Sequence, residues 1–152
     1  MADHISKRVL DAVLSALTTA NISVMIGGVP VAVTLIQDPP AGNKMDPSQL
    51  PVIFAFAARE QIAPGAAGYL QRDLQVTIML LARPASKVAA QLFEMQLAVE
   101  KALMASGDLG GLAFDLYPIS ADQVLDRGEA VHGTRSIDFL IRCAVPRGDP
   151  SL

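Results

Sequence analysis

Tryptophan is absent from the chain, aromatic residues make up only 5%, and cysteine occurs once. So few rings argue against a base-stacking platform for single-stranded nucleic acid. One cysteine allows no intrachain disulfide. Cys143 sits in Ile141-Arg142-Cys143-Ala144-Val145, a strand-like run in which it reads as a small buried hydrophobe rather than a reactive thiol. A reducing cytoplasm fits that usage. Charge is scarce too, at 18% of residues, and the net charge is −3. The excess is spread evenly: residues 1–76 hold 5 basic and 6 acidic groups, residues 77–152 hold 7 and 9. No basic cluster exists to neutralise phosphates, so the footprint of non-specific nucleic-acid binding is missing. Long apolar runs are also lacking. The longest, residues 22–36, is broken by Gly27-Gly28 and Pro30 and falls short of the roughly 20 residues a membrane-spanning helix needs. The basic start is followed by no apolar stretch of the kind a signal peptide carries.

Catalytic and metal motifs are sparse as well. His4 and His132 stand apart from other ligand types, and zinc needs about three or four converging side chains. Both read as surface histidines. Asp122, Asp126 and Glu129 would share one face of a helix and hold a cation there, but no calcium-loop pattern accompanies them, so a solvated acidic segment is preferred. Gly107-Asp108-Leu109-Gly110-Gly111 follows a helical pattern and precedes a strand. A phosphate cradle needs the reverse order, so these glycines read as a helix stop. Arg147-Gly148-Asp149 is a three-residue match and is discounted. No serine lies in a Gly-x-Ser-x-Gly elbow. No cofactor or metal is expected, and the chain reads as a non-enzyme.

What is present is apolar mass. Hydrophobic residues are 51% of 152, with a mean hydropathy of +0.38. That length suits one domain, 1–146, with 147–152 as a flexible C-terminal tail. Asp3 is placed to cap a helix over 5–20, where Ile5, Val9, Val13 and Leu17 recur every four residues, and Asn21 is placed to stop it. Residues 22–26 and 29–36 read as a hairpin turning on Gly27-Gly28. Residues 37–50 read as a long loop, 51–58 as a β-rich run and 59–68 as a second loop. The alternation over 69–83 is the clearest strand, with Leu70, Leu74, Val76, Ile78 and Leu80 on one face. Ser86 is placed to cap a helix over 87–106, whose apolar surface is wider than a narrow stripe. Residues 112–118 and 135–145 read as strands, and 120–132 as irregular. The expected fold is α+β: an antiparallel or mixed β-sheet covered by two main α-helices.

The order of these pieces is familiar. An amphipathic helix leads into Gly28-Val29-Pro30-Val31, then a proline-rich loop and Leu50-Pro51-Val52-Ile53-Phe54-Ala55-Phe56. Arg72-Asp73-Leu74-Gln75-Val76-Thr77-Ile78, Ala98-Val99-Glu100-Lys101-Ala102-Leu103, Leu109-Gly110-Gly111-Leu112 and Ile137-Asp138-Phe139-Leu140-Ile141 follow. This succession resembles the tail terminator proteins of long-tailed bacteriophages, the lambda minor tail protein U-like group. The resemblance spans nearly the whole chain and rests on element order. It implies a virion protein, assembled in the bacterial cytoplasm, that forms a homo-oligomeric ring, as a rule a hexamer. Such a ring caps the tail tube protein, stops tube growth and offers the surface that joins the head-tail connector protein. DNA passes through its lumen without specific binding, and an acidic lumen would suit that passage. The family has no catalytic residues. The two loops become the candidate subunit and tube contacts, with Lys44, Met45, Arg59, Glu60 and Tyr69 the residues singled out. The alternatives are another head-tail connector or neck protein, or a small α+β enzyme.

Overall fold

The computed structural model describes residues 3–37, 47–127 and 131–151; the side chains of 47, 126, 127, 131 and 132 fall outside that description. Its first helix, α1 (Ile5–Ala20), buries the stripe its spacing predicts: Ile5, Val9, Val13 and Leu17. It starts one residue too late for Asp3 to cap it. His4 is the cap instead, its Nδ1 accepting the Ser6 N–H at 3.1 Å, while Asp3 accepts from Lys7 at 2.9 Å. Asn21 ends the helix in the left-handed conformation (φ 50°), and its N–H donates to the Thr18 carbonyl.

β1 (Ser23–Ile26) and β2 (Val29–Ala32) form the expected hairpin, with Gly27 and Gly28 both at positive φ. The expected second strand does not run on to Ile36. It breaks at Val33, whose N–H donates to the Ile22 carbonyl, and β3 (Thr34–Ile36) joins a different sheet. That sheet has five strands in the order β3-β4-β5-β7-β6, with β4 (Val52–Pro64), β5 (Tyr69–Leu81), β6 (Asp115–Arg127) and β7 (Val131–Pro146). β3 lies parallel to β4 and every other pair is antiparallel, so the sheet is mixed. The fold is thus a single α+β domain.

Two expected loops are strands. Residues 59–64 belong to β4, paired with β5 as far as Pro64↔Leu70, which leaves a turn at 65–68. Residues 120–127, expected to be irregular, continue β6 against β7. In both places the described side chains are mostly exposed and mix polar with apolar, as Ile62, Val124 and Leu125 show, and backbone pairing to a long neighbour carries the strand. The end of the chain, expected as a frayed tail, is tied in. Ile5 N–H donates to the Pro150 carbonyl at 2.7 Å, Arg8 to that of Ser151, and Arg147 N–H to that of Gly68.

The helices cover one sheet face. Cross-strand rows on that face read Ala55–Ile78–Ile137–Ala121, Ala57–Val76–Phe139–Pro118 and Glu60–Leu74–Ile141–Leu116. Against them pack α1 and α2 (Val88–Ser106), the latter burying Val88, Leu92, Met95, Val99 and Leu103. Ser86 does not cap α2. Its N-cap is Lys87, with no side-chain bond, and Gly107 ends it at φ 64°. Gln91 is a buried polar residue of α2. Its amide accepts from Arg83 N–H and donates to the Arg83 carbonyl, both at 3.0 Å, so it stitches the β5–α2 connection to the helix. No helix among the described residues is long and apolar enough to cross a membrane.

Candidate assembly surface

Three surface features stand out, and each follows from the chain's surplus of apolar residues. The first is the outer side of α2. Phe93, Leu97 and Met104 lie at helical spacing and each is more than half exposed. Beneath this stripe, towards β6, Arg135 lies 4.9 Å from the Phe93 ring centroid and bonds to Gln96 and Gln123. The stripe therefore continues sideways into the sheet edge.

The second feature is that edge. β6 is 13 residues long and pairs only with β7 among the described residues. It exposes Tyr117, Ile119, Val124 and Leu125. Long apolar edges are templates for pairing with another chain unless something covers them. At the other end of the sheet, β3 covers β4 only over Val52, Ile53 and Phe54. Among the described residues nothing else pairs with that side of β4, and its side chains from Phe56 onward are exposed.

The third feature is the sheet face away from the helices. Its rows read Phe54–Met79–Ser136–Asp122, Phe56–Thr77–Asp138–Ser120 and Arg59–Gln75–Leu140–Tyr117. Phe54 and Phe56 stack with centroids 6.4 Å apart. Beside them Asp138 accepts from Thr77 at 2.6 Å and from Ser120 at 2.8 Å, and Asp73 accepts from Arg142 at 3.2 Å. Asp138 and Asp73 are thus both engaged within the chain, beside the apolar Phe54–Phe56 pair.

The residues singled out from sequence are dispersed. Lys44 and Met45 lie outside the described residues. Arg59 is exposed on the outer half of β4, its side chain making no ion pair or hydrogen bond among the described residues. Glu60, next to it, turns to the helix side. Its Oε1 accepts from Arg72 at 3.0 Å and from Ser6 at 3.1 Å, so it fastens α1 to the sheet. Tyr69 opens β5, 46% exposed, at the base of the 65–68 turn. Asp122 and Asp126 lie on a strand rather than a helix, and Glu129 lies outside the described residues. Among the described residues no group of three or more His, Cys, Asp or Glu is placed to hold a metal.

Sequence reasoning missed Tyr117, Ile119 and Val124. Their signal was present as β-formers at 117, 119 and 124–125, but Asp115, Asp122 and Asp126 masked it. Cys143 is buried as expected, and burial pushes its thiol up to about 11, with the Asp73 and Glu60 carboxylates adding to the effect. An open groove of about 540 Å³ runs between the C-terminal halves of the helices, lined by small side chains such as Ala12, Ala16, Ala102 and Ala105. Comparison of the chain with protein-family models and with curated proteins returned no match.

Proposed function

We propose that this chain is a structural phage protein that forms a ring on the tail tube, stops tube polymerisation and presents the surface to which the head is joined. The observation that carries the reading is the placement of the apolar surplus. Phe93, Leu97 and Met104 on α2 and Leu125 on the helix side of β6 expose large apolar side chains, and Ile119 and Val124 expose more along the β6 edge. Exposed apolar surface of this extent supports a protein–protein contact. The α+β architecture, a mixed sheet covered by two helices, is compatible with the tail terminator resemblance.

The mechanism is steric. The two ends of the strands differ chemically, which is what a cap requires. One end carries the 65–68 turn, Tyr69, the start of α1 and the chain end bonded to it. The other carries the 82–87 connection, the end of β6 and the start of β7. A ring built with the strands along its axis binds the tube with one end and offers the next subunit of tube a surface it does not match. Growth then stops without any covalent chemistry. A carboxylate-rich lumen would let DNA slide past without sticking.

Labelling the chain and locating the label by electron microscopy along a long-tailed phage particle tests the reading. Label at the head-proximal end of the tail tube is the expected result. Label within the neck, off the tube, identifies a connector protein instead, and no label on the particle contradicts both.

A further inference from the structure

The outer face of α2 is complementary to itself. Phe93, Leu97, Glu100 and Met104 follow the alternating four- and three-residue spacing of a seam shared by two packed helices. Phe93, Leu97 and Met104 are each more than half exposed. Glu100, the one charged residue of the seam, is partly buried, and its Oε1 accepts from Gln96 at 3.2 Å. Leu97 is the middle residue of the 19-residue helix. A second copy laid antiparallel on this face, with the twofold axis beside Leu97, therefore overlaps α2 along its whole length. Phe93 of each copy then meets Met104 of the other, a thioether against a ring.

Charge follows the same symmetry. Next to the seam, on the flank towards the β1–β2 hairpin, stand Glu94 and Lys101. Glu94 is fixed there because its Oε2 accepts from Met25 N–H at 3.0 Å. Lys101 is exposed, and its side chain makes no ion pair or hydrogen bond among the described residues. In an antiparallel pair like flanks face each other, so Glu94 of each copy stands opposite Lys101 of the other. Within one chain the two lie about 10 Å apart along the helix and do not meet.

That flank also supplies a projection and a recess. The hairpin lies beside the N-terminal half of α2, near Lys87, Ala90 and Glu94. It has no charged residue, and Met25 and Val29 are 50% and 59% exposed. The open groove lies beside the C-terminal half, between Ala102 and Ala105 of α2 and Ala12 and Ala16 of α1. The twofold that sets Glu94 against Lys101 brings the hairpin of one copy to the groove of the other. The small side chains there leave room for Met25 and Val29.

We propose that the free chain forms a twofold dimer through α2, with the hairpin of each copy lying in the groove of the other. The contact is isologous, so it closes at two copies. It goes beyond the ring reading and does not depend on it.

Light scattering over a range of concentrations, without tube protein, tests the dimer on wild type, Glu94→Lys, Lys101→Glu and the double exchange. Wild type should reach about 32 kDa, twice the 16.0 kDa chain. Each single variant sets like charges together twice and should need about ten times more protein to dimerise. The double exchange should recover most of that loss, because the two residues meet only between copies. Circular dichroism checks that each variant folds. Cross-linking gives a readout free of any charge change. A short bis-maleimide should join Leu97→Cys to its copy across the axis, whereas Lys87→Cys, roughly 30 Å from its copy, should stay unlinked. The native Cys143 is buried and takes no part. Should loss of the Glu94–Met25 bond keep the double exchange weak, the cross-links decide. A wild type that stays at 16.0 kDa at every concentration overturns the dimer and leaves the ring reading to be tested on tube protein. A dimer that neither single variant weakens, or that links at Lys87→Cys and not at Leu97→Cys, uses another surface and overturns the proposal as well.

Discussion

Gly133 shows how tightly the helix side of the sheet is closed. A Cβ built there would stand 2.2 Å from Val88 Cγ1, 3.0 Å from Leu92 Cδ1 and 3.2 Å from Leu125 Cδ2. The constraint is space, since no unusual φ is involved, and α2 sits directly on this point of β7. Gly133→Ala should cost about 1–3 kcal/mol of stability through overpacking, a fall of about 3–10 °C in Tm. Adding Val88→Ala should recover part of the loss, and thermal melts of both variants check it. Gln91 acts oppositely, by satisfying polarity. Gln91→Leu strands the N–H and the carbonyl of Arg83 and should cost about 2–4 kcal/mol, read from urea midpoints. Cys143 gives the pH dependence. Its folded-state value near 11 lies above the ordinary 9.0, so its contribution is intact below pH 9.0 and is lost as pH rises towards 11. The slope between is about 1.4 kcal/mol per pH unit. Cys143→Ala should flatten the alkaline fall in Tm; an unchanged fall would assign it to other groups.

At the scale of elements, the outer flank of α2 separates folding from association. Leu97 and Met104 are more than half exposed, so Leu97→Asp and Met104→Asp should change stability by no more than about 0.5 kcal/mol. The same changes should raise the concentration needed for assembly, measured by light scattering. A large loss of Tm would mean that this stripe packs within the monomer instead. The elements that were legible in the sequence are those that bury a face. α1 and β5 carry the i, i+4 and i, i+2 spacing of Val9–Val13–Leu17 and Leu74–Val76–Ile78 because one side of each meets the core. The outer half of β4 and most of β6 carry no such alternation, since both of their faces are exposed. Arg59, Glu60 and Gln61 looked like a loop for that reason, and so did Asp122 and Gln123. Long central strands hold them by backbone bonds, which leave no side-chain trace. The candidate surface was legible in part. The apolar surplus on α2 read as Phe93, Leu97, Leu103 and Met104, of which Leu103 is buried in the core, and Arg59 read as a contact, whereas the β6 edge became visible only with the pairing. Glu60, singled out as a contact, is engaged with Arg72 and Ser6. Glu60→Ala leaves the mostly buried Arg72 guanidinium without its carboxylate, at a cost of about 1–3 kcal/mol.

For the molecule as a whole, the scarcity of charge and the abundance of apolar residues are two sides of one design. The core uses only part of the apolar mass; much of the remainder lies on α2, β6 and the sheet face around Phe56, with more on the β1–β2 hairpin and at Ile62 and Phe114. A monomer gains nothing from that exposure. The proposed ring on a tube would use it twice, between subunits and along the tube. The direct test is the solution mass of the chain as a function of concentration, alone and with tail tube protein. A species of about six subunits, about 96 kDa from a 16.0 kDa chain, formed alone or on added tube protein, is the result predicted. A particle that remains at 16.0 kDa at every concentration, and never joins the tube protein, would contradict the account.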